Sequence, residues 1–264
     1  MRYFDRAELA RRYDVYRPRV HTQVVQEIAS SRPPRTLKKA LDIACGTGHS
    51  TKALTPLAPV VCGCDVSSAM LSIVQQEASS ARFVRSDADS LPFSRGTFDL
   101  LTVSMALHWF DQRRFLGEAA RVLVDGGELW VYNLLFPGVL LGDEAFFQWH
   151  RESYLARYPV PSRHTETLAR LLRPQEIPLV FAEERNLSYE VSFTATELRG
   201  YLTTQSNIEA ALRRGTALRD VDAWLASELA PFFTDTASNR FAYIGSAEIA
   251  VAAEQGARAD DRTS

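Results

Sequence analysis

The feature that most constrains the fold is the stretch at residues 38–50, which reads KKALDIACGTGHS. Residues 40–45 form a short apolar run that contains one carboxylate, Asp42, and such a run predicts a buried parallel strand. Gly46 and Gly48 follow, and a helical pattern begins directly after them. A helix that starts this way presents free backbone N–H groups, which together with the helix dipole hold anionic groups. The stretch therefore predicts a strand, a ligand-binding turn and a helix.

The carboxylate of Asp42 needs a partner, because an unpaired charge in a buried strand is costly to desolvate. One interpretation is structural, with the carboxylate only accepting hydrogen bonds from loop amides. The other is functional, because ionisable groups with perturbed pKa values often belong to a site. We favour the functional interpretation, in which Asp42 takes a cationic group of a ligand directly or through water.

Apolar runs alternate with helical patterns along the first half of the chain, which predicts βαβ units and a parallel sheet. Residues 125–127 (Asp-Gly-Gly) predict a tight turn. After Pro137 the alternation of strand and helix patterns ends, and a helical segment rich in aromatic residues follows. A later helical region begins with the capping-box pattern Thr194 to Glu197. The strands predicted besides the first are residues 60–66, 82–86, 98–105, 128–135, 183–193 and 240–253.

Composition narrows the possible partners. The chain has 264 residues, 46% of them hydrophobic, so a globular core is expected, and its net charge of -2 argues against a surface that binds nucleic acid. We find no apolar run of the roughly 18 residues that a membrane span needs, and residues 1–6 lack the apolar core of a secretory signal. Cys45, Cys62 and Cys64 fall at predicted strand ends, which suggests reduced thiols and a cytoplasmic location. We expect no metal, because Cys62 and Cys64 lack the second ligand pair of a zinc site.

Four positions follow the carboxyl ends of successive predicted strands: Gly46, Asp65, Asp87 and His108. In an open α/β sheet this edge is where ligands bind. Asp65 lies nineteen residues after Gly46 (65 − 46), the spacing at which an acidic residue accepts hydrogen bonds from ribose hydroxyls. Asp87 is placed to receive an adenine amino group. The edge therefore predicts a nucleoside site. We expect His49, in the first turn of the helix after the glycines, to be exposed.

Two classes of nucleoside ligand are compatible with a site at this edge. The dinucleotide fingerprint requires a third glycine at the position that Thr51 occupies, and no lysine follows the glycines as in a nucleotide P-loop. A ligand with an amino-acid end suits the turn better, because the amides of residues 46–49 can take its carboxylate while Asp42 takes its ammonium group.

The motifs LDIACGTG, CDVSSAML, DADSLPF and FDLLTVSMALHWF resemble the successive motifs of class I S-adenosylmethionine-dependent methyltransferases. The chain is similar in particular to the small-molecule methyltransferases related to trans-aconitate methyltransferase, which also have a Tyr-x-x-Tyr-Arg-Pro segment, here residues 13–18, and a His-Trp pair after the fourth strand. The resemblance is strong over residues 1–135 and holds only in outline beyond them.

This resemblance implies a Rossmann-like α/β fold: a seven-stranded, mostly parallel sheet with an antiparallel last strand, helices on both faces and a helical cap inserted after the fifth strand. It implies one methyltransferase domain over residues 1–264, with an N-terminal flap at 1–20 and cap segments at 137–182 and 194–232. The implied cofactor is S-adenosyl-L-methionine, and the implied partner is a small-molecule substrate.

The resemblance also assigns site residues by motif position. The residues implied to hold the methionine part of the cofactor are Asp42, Ala44, Gly46 and Gly48. Those implied to hold the ribose and adenine are Asp65, Val66, Met70, Asp87 and Ala88. The wall near the sulfonium is implied to contain Ser104 and Leu107, and the flap residues implied to touch the cofactor carboxylate are Tyr13 and Arg17.

The implied reaction is in-line methyl transfer to a carboxylate or hydroxyl oxygen of a small metabolite. A hydroxyl acceptor uses a general base, for which His108 is the candidate, whereas a carboxylate needs none and leaves His108 a positioning role. Residues 104–107 (Ser-Met-Ala-Leu) replace the Asn/Asp-Pro-Pro-Tyr/Phe turn of enzymes that methylate amino groups of adenine or glutamine, although carbon and nitrogen acceptors stay open. Aromatic residues after Pro137 either line the acceptor pocket or form the core of the cap.

Two alternatives remain at this stage. The chain could bind S-adenosylmethionine without transferring methyl, as a cyclase-like or partner-binding protein of the same fold. It could also be a nicotinamide-dependent oxidoreductase, which Thr51 disfavours.

Overall fold

The computed structural model describes residues 6–74, 80–163, 166–173, 176–234 and 237–254. The first five residues of the predicted flap, the tail from residue 255 onward and four residues within the predicted cap segments (164, 165, 174 and 175) lie outside these ranges. The strands are β1 (Lys39–Ile43), β2 (Val60–Asp65), β3 (Arg82–Arg85), β4 (Phe98–Ser104), β5 (Leu123–Leu135), β6 (Leu179–Phe193) and β7 (Asn239–Ala252).

The first helices along the chain are α1 (Ala7–Tyr16), α2 (His21–Ser31), α3 (His49–Leu54), α4 (Ser68–Val74) and α5 (Gln112–Val122). After β5 come α6 (Glu144–Trp149), α7 (Leu155–Arg157) and α8 (Leu168–Leu171), and between β6 and β7 lie α9 (Ala195–Leu202), α10 (Ser206–Arg213) and α11 (Leu218–Leu229). Short 3-10 turns lie at Leu107–Trp109 and Ala230–Phe232, and a π-helical turn at His150–Tyr154 joins α6 to α7. Within the described residues, no helix combines the length and apolar character that crossing a bilayer requires.

The seven strands form one sheet in the order β3-β2-β1-β4-β5-β7-β6. Strands β1 to β5 pair in parallel, whereas β7 runs antiparallel to both of its neighbours, β5 and β6. The predicted fold class is therefore confirmed, including the antiparallel last strand and the helices inserted after the fifth strand. The order reverses next to β1, so the carboxyl ends of β1, β2 and β4 border the crevice where ligands bind in such sheets.

Strand β5 begins earlier than its sequence pattern predicts. Phe98 of β4 pairs with Leu123, and Leu100 pairs with Glu128, so the chain between those two partners bulges out of the ladder. Gly126 adopts a φ of +69° within this bulge. The prediction of a turn followed by a new strand was wrong, because the Asp-Gly-Gly sequence bends the strand without ending it.

Local capping signals explain where several helices begin. Thr194 and Glu197 form the predicted capping box at the start of α9. The Asp111 side chain accepts a hydrogen bond from the backbone of Arg114 at the start of α5, and Ser67 accepts one from the backbone of Met70 in α4. Each cap supplies a partner for a backbone N–H that the first helical turn cannot satisfy.

Two apolar cores flank the sheet. One lies against α5 and α8, and the other against α2 and α3 and continues into the helices inserted after β5. Most of the insert's aromatic residues belong to that second core, including the buried Phe146, Trp149 and Tyr158. This is the structural alternative considered for them, and it anchors the insert at the carboxyl end of the sheet.

Candidate active site

A cavity of about 920 Å³ opens at the carboxyl edge of β1, β2 and β4. Its walls also include residues of α1, the 3-10 turn after β4 and the segments inserted around β6. The structure therefore brings together residues that are far apart in the sequence. The sequence-predicted site residues that line it are Tyr13, Arg17, Ala44, Gly46, Asp65, Val66, Met70, Asp87, Ala88, Ser104, Leu107 and His108. Asp42 and Gly48 do not line it.

Asp65, at the end of β2, holds the glycine turn in place. One carboxylate oxygen accepts a hydrogen bond of 2.8 Å from the Gly46 amide, and the other accepts one of 2.8 Å from the Ser67 amide. These contacts join the ends of β1 and β2 and fix the carboxylate at the cavity wall. Asp65 therefore has a structural contact in addition to the ligand contact that its position predicts.

Asp42 is fully buried behind the glycine turn. Its carboxylate accepts hydrogen bonds from Ser50 (2.6 Å), Thr51 (2.7 Å) and Thr102 (2.9 Å). Burial raises the pKa of Asp42 to about 6, although these three hydroxyl donors oppose that shift. Direct contact with a ligand's ammonium group, which the sequence predicted, does not fit this placement. Asp42 instead ties the first turn of α3 to β1 and β4.

The backbone at the edge adopts conformations that L side chains rarely take. Gly46 has φ +56° and Gly48, the residue that caps α3, has φ +81°. A Cβ at Gly46 would meet no protein atom within 4 Å, so the space beside its Cα is open to a ligand in the cavity. Ala44 and Met105 also have positive φ values, 56° and 53°, and both line the cavity. Strain of this kind often collects at binding sites, and sequence patterns do not reveal it.

The amino-terminal helix closes one side of the cavity. Arg17 donates hydrogen bonds of 2.9 Å to both the hydroxyl and the carbonyl oxygen of Thr204, and its guanidinium lies 4.6 Å from the centre of the Tyr13 ring. Burial raises the pKa of Tyr13, so its hydroxyl stays protonated and can donate. Tyr16 packs against Gly200, where a Cβ would lie 2.4 Å from the ring.

His49 is not exposed, so the prediction for this residue was wrong. Its Nε2 lies 2.7 Å from the carboxylate of Asp14 in α1, and the side chain is buried between α1 and α3. The sequence pattern of α3 alone could not reveal that α1 covers this face. The pair attaches the amino-terminal helix to the helix that starts at the glycine turn.

His108 lies in the 3-10 turn after β4, beside Trp109 at a ring-centre distance of 4.6 Å. Burial, together with the positive charge of Arg163, lowers the pKa of His108 to about 4. The imidazole is therefore neutral near pH 7 and can accept or donate a hydrogen bond. Arg163 stacks over Trp109 at 5.6 Å and donates a hydrogen bond to Ser206.

Several residues that line the far half of the cavity carried no recognisable sequence motif. They come from β5, β7 and the inserted helices, and they combine aromatic rings with neutral and charged polar groups. Their common signal is only the aromatic content of the insert, which does not separate cavity walls from core. They include Asn133, Phe136, His150, Tyr154, Arg163, Tyr201, Gln205, Asn207 and Glu248.

Comparisons with known proteins show what this chain is similar to. Residues 41–131 match the family model described as a methyltransferase domain. The chain is 36% identical over 148 residues to the demethylmenaquinone methyltransferase of Thermotoga maritima, covering 52% of this chain and 62% of that protein. It is 34% identical over 127 residues to the malonyl-[acyl-carrier protein] O-methyltransferase of Herminiimonas arsenicoxydans, covering 47% of this chain and 48% of that protein. The chain thus matches less than two thirds of either relative.

A solved structure described as a type II methyltransferase from Anaeromyxobacter dehalogenans shares the fold. Its TM-score is 0.63 at 23% identity, covering 88% of this chain and 95% of that one. This likeness shows the fold, and the family match shows that residues 41–131 are similar to a methyltransferase domain. A protein of Saccharomyces cerevisiae that is 30% identical over 158 residues, covering 55% of this chain and 54% of that protein, is named as an S-adenosylmethionine-dependent methyltransferase.

The described residues fit that cofactor. The open space at Gly46 lets a ligand approach the backbone, and the Asp65 carboxylate supplies hydrogen-bond acceptors at the same edge. Arg17, directly after α1, and Tyr13, within α1, supply a cation and a hydroxyl donor to the same cavity. A zwitterionic nucleoside needs these three kinds of group.

Proposed function

We propose that the protein transfers a methyl group from S-adenosylmethionine to a carboxylate or hydroxyl oxygen of a small molecule. The observation that carries the proposal is the continuity of the cavity. It joins the edge that holds Asp65 and Asp87 to a half lined by aromatic and polar residues of the insert. A single cavity of this kind lets a cofactor and an acceptor lie next to each other with water excluded.

In this proposal, different walls of the cavity bind different parts of the cofactor. Gly46 and Ala44 receive the methionine part, and Arg17 with Tyr13 receives its carboxylate. Asp65 accepts from the ribose hydroxyls, while Val66 and Met70 pack on the nucleoside and Asp87 with Ala88 lies at the adenine edge. Ser104 and Leu107 form the wall nearest the sulfonium. Asp42 and Gly48 act indirectly by shaping the glycine turn, because neither lines the cavity.

For methyl transfer, the chain must position the reacting groups and shield them from water. When bound, the cofactor supplies an electrophilic methyl group. Ser104 is held by His21, whose Nδ1 lies 3.3 Å from its hydroxyl. His108 and Arg163 supply hydrogen-bond donors and a positive charge for an acidic acceptor, and neutral His108 can also take a proton from a hydroxyl. Trp109 and the flap at residues 1–20 exclude water, and the segments at 137–182 and 194–232 act as the cap.

A second candidate is methylation of carbon on a reduced quinone ring. It is favoured by the relative named demethylmenaquinone methyltransferase, which is 36% identical over the matched segment. The aromatic walls of the insert suit such a ring as well as they suit an aromatic acid. We place oxygen transfer first because Arg163 and His108 line the same cavity and complement a carboxylate.

The three cysteines are free thiols. We propose a reducing, cytoplasmic compartment for the protein on this basis.

A screen with methyl-labelled cofactor tests the proposed function. The chain is incubated with tritiated S-adenosylmethionine and a panel of small acids and alcohols, and reduced 1,4-naphthoquinone is included for the second candidate. A carboxyl methyl ester releases volatile labelled methanol in mild alkali, whereas a methyl ether or a C-methyl group keeps its label. Label in oxygen-linked product supports the proposal. Label only on the naphthoquinol carbon would favour the second candidate, and consumption of an acceptor without label transfer would indicate a non-methylating activity.

Replacing His108 with alanine or asparagine is expected to raise KM for the acceptor by about tenfold and to leave kcat within a few fold. A positioning residue affects substrate binding, whereas loss of a general base typically lowers the rate by about 10²–10⁴-fold. Because the pKa of His108 lies at about 4, any contribution from its protonation falls near that pH and not near 6.5. Steady-state kinetics from pH 4 to 9 measure both effects. A fall in kcat beyond about a hundredfold, with unchanged cofactor affinity, would make His108 the base.

A further inference from the structure

The π-helical turn at His150–Tyr154 places an unpaired histidine in the wall of the cavity. The residue is 6% exposed, and no described residue gives a hydrogen bond to its Nδ1. A buried polar group without a partner is uncommon and needs an explanation. π-helical turns inside α-helices also occur frequently at functional sites. Both features point to a role for His150 beyond packing.

The orientation of the ring follows from Gly138. A Cβ at Gly138 would lie 2.2 Å from Nδ1 of His150, so this edge of the imidazole packs directly on the glycine backbone. The opposite edge carries Nε2 and is the part of the ring left to line the cavity. Only glycine permits this close approach, and the φ of +74° at residue 138 also favours glycine.

The protonation of the ring follows from the same contact. Burial lowers the pKa of His150 to about 4, so one nitrogen carries the single proton near pH 7. An unsatisfied N–H is rarer in protein interiors than an unsatisfied acceptor. The proton therefore belongs on Nε2, where it faces the cavity, and the unpaired lone pair belongs on Nδ1 against Gly138. His150 presents a neutral donor to whatever occupies the cavity.

Aromatic rings surround this donor. The Phe136 ring lies 5.5 Å from that of His150 in an edge-to-face arrangement, and the Tyr154 ring stacks on it at 5.3 Å. Tyr201 contacts Phe136 at 5.5 Å and lies beneath the guanidinium of Arg17 at 5.3 Å. We call these four rings, Phe136, His150, Tyr154 and Tyr201, the aromatic branch. It extends from the flap arginine into the insert and holds a single imidazole donor among apolar surfaces.

We propose that His150 is a specificity residue that donates a hydrogen bond from Nε2 to a carbonyl or carboxylate oxygen of the acceptor, remote from the atom that is methylated. This inference rests on the proposed function and narrows its substrate class. The acceptor has a flat or apolar body that packs against the rings of the aromatic branch, and it has an oxygen at each end. One oxygen receives the methyl group and the other binds His150.

Matched probes test the inference, because an acetyl group and an isopropenyl group have the same shape and differ only in C=O against C=CH₂. The probes are the 4-acetyl and 4-isopropenyl derivatives of benzoate, phenylacetate and 3-phenylpropionate. Calorimetry measures their affinity for the chain saturated with S-adenosylhomocysteine. The wild type is expected to bind the acetyl member of at least one pair about 3- to 10-fold more tightly, the range for one neutral hydrogen bond.

Variants of His150 separate the hydrogen bond from packing. His150→Phe keeps an aromatic ring and removes the donor, so it is expected to bind both members of the pair equally. His150→Gln keeps a donor and is expected to retain a preference. Phe147→Ala, a half-exposed neighbour on α6 that does not line the cavity, is the control and is expected to behave as wild type.

Three outcomes would overturn the inference: no preference in any wild-type pair, a preference that survives in His150→Phe, or no binding of any probe. The shift in Tm caused by S-adenosylhomocysteine is measured in parallel. If that shift is present while the probes fail, the role of His150 is wrong and the cofactor site stands. If the shift is absent, the proposed function fails together with the inference.

Discussion

Replacing Asp42 with alanine is expected to lower the free energy of unfolding by about 3 kcal/mol or more. The variant leaves the buried hydroxyls of Ser50, Thr51 and Thr102 without their acceptor, and each unsatisfied buried group costs about 1–3 kcal/mol. Removing the buried carboxylate recovers part of this cost. For a chain of this size, each kcal/mol shifts Tm by about 2–4 °C, so thermal unfolding should show a fall of about 6–12 °C.

Asp42→Asn is the matched control, because its amide oxygen keeps an acceptor for the hydroxyl groups without a charge. We expect it to lose less than half as much stability at pH 7. An unchanged Tm in Asp42→Ala with a lost affinity for S-adenosylhomocysteine would contradict this account and make Asp42 a direct ligand residue.

The difference in stability between the wild type and Asp42→Asn also reports the pKa of Asp42. Because that pKa is raised in the folded state, from 3.8 to about 6, the native protein binds more protons than the unfolded chain in this interval. Stability contributed by Asp42 is therefore present below pH 4 and is lost as pH rises toward 6, by about 3 kcal/mol. Buried histidines with lowered pKa values act in the opposite direction, but they cancel in the difference between wild type and Asp42→Asn. Urea unfolding at pH 4 and pH 7 measures that difference.

Replacing Asp65 with alanine is expected to weaken binding of S-adenosylhomocysteine by about ten- to a hundredfold. In the proposed site its carboxylate accepts hydrogen bonds from the ribose, and loss of a hydrogen bond to a charged group costs about 1.5–3 kcal/mol. The variant also frees the amides of Gly46 and Ser67, which loosens the glycine turn. Calorimetry with the folded variant measures the affinity.

Asp99 offers a control with the same structural chemistry. Its carboxylate accepts hydrogen bonds of 2.9 and 2.8 Å from the amides of Lys38 and Lys39, but it lies at the opposite end of β1 and does not line the cavity. Asp99→Ala should keep the wild-type affinity for S-adenosylhomocysteine. Equal affinity in Asp65→Ala and wild type would show that Asp65 is not a ribose ligand.

The cofactor half of the site was readable from the sequence because its chemistry is local. A strand, a glycine turn and a helix are contiguous, and acidic residues at strand ends are brought to one edge by the parallel sheet itself. Twelve of the fourteen site residues named from the sequence, several of them only through the family resemblance, line the cavity.

The features that the sequence could not predict depend on contacts between segments that are distant along the chain. Thr51 occupies the position of a third glycine, and the sequence shows only that it breaks a fingerprint, whereas its hydroxyl binds Asp42 in the fold. His49 was expected to be exposed because its partner, Asp14, lies in α1. The pairing of His150 with Gly138 joins two segments of the insert that carry no motif. Such side-chain partners follow from packing and not from the periodicity of one element.

The most direct measurement is the thermal unfolding of the wild-type chain with S-adenosylhomocysteine, compared with a nicotinamide dinucleotide at the same concentration. A ligand present at 100 times its dissociation constant stabilises the folded state by about 2.7 kcal/mol, which corresponds to a rise in Tm of about 5–10 °C here. We predict this rise with S-adenosylhomocysteine and none with the dinucleotide. A rise with the dinucleotide alone would contradict the assignment of the site.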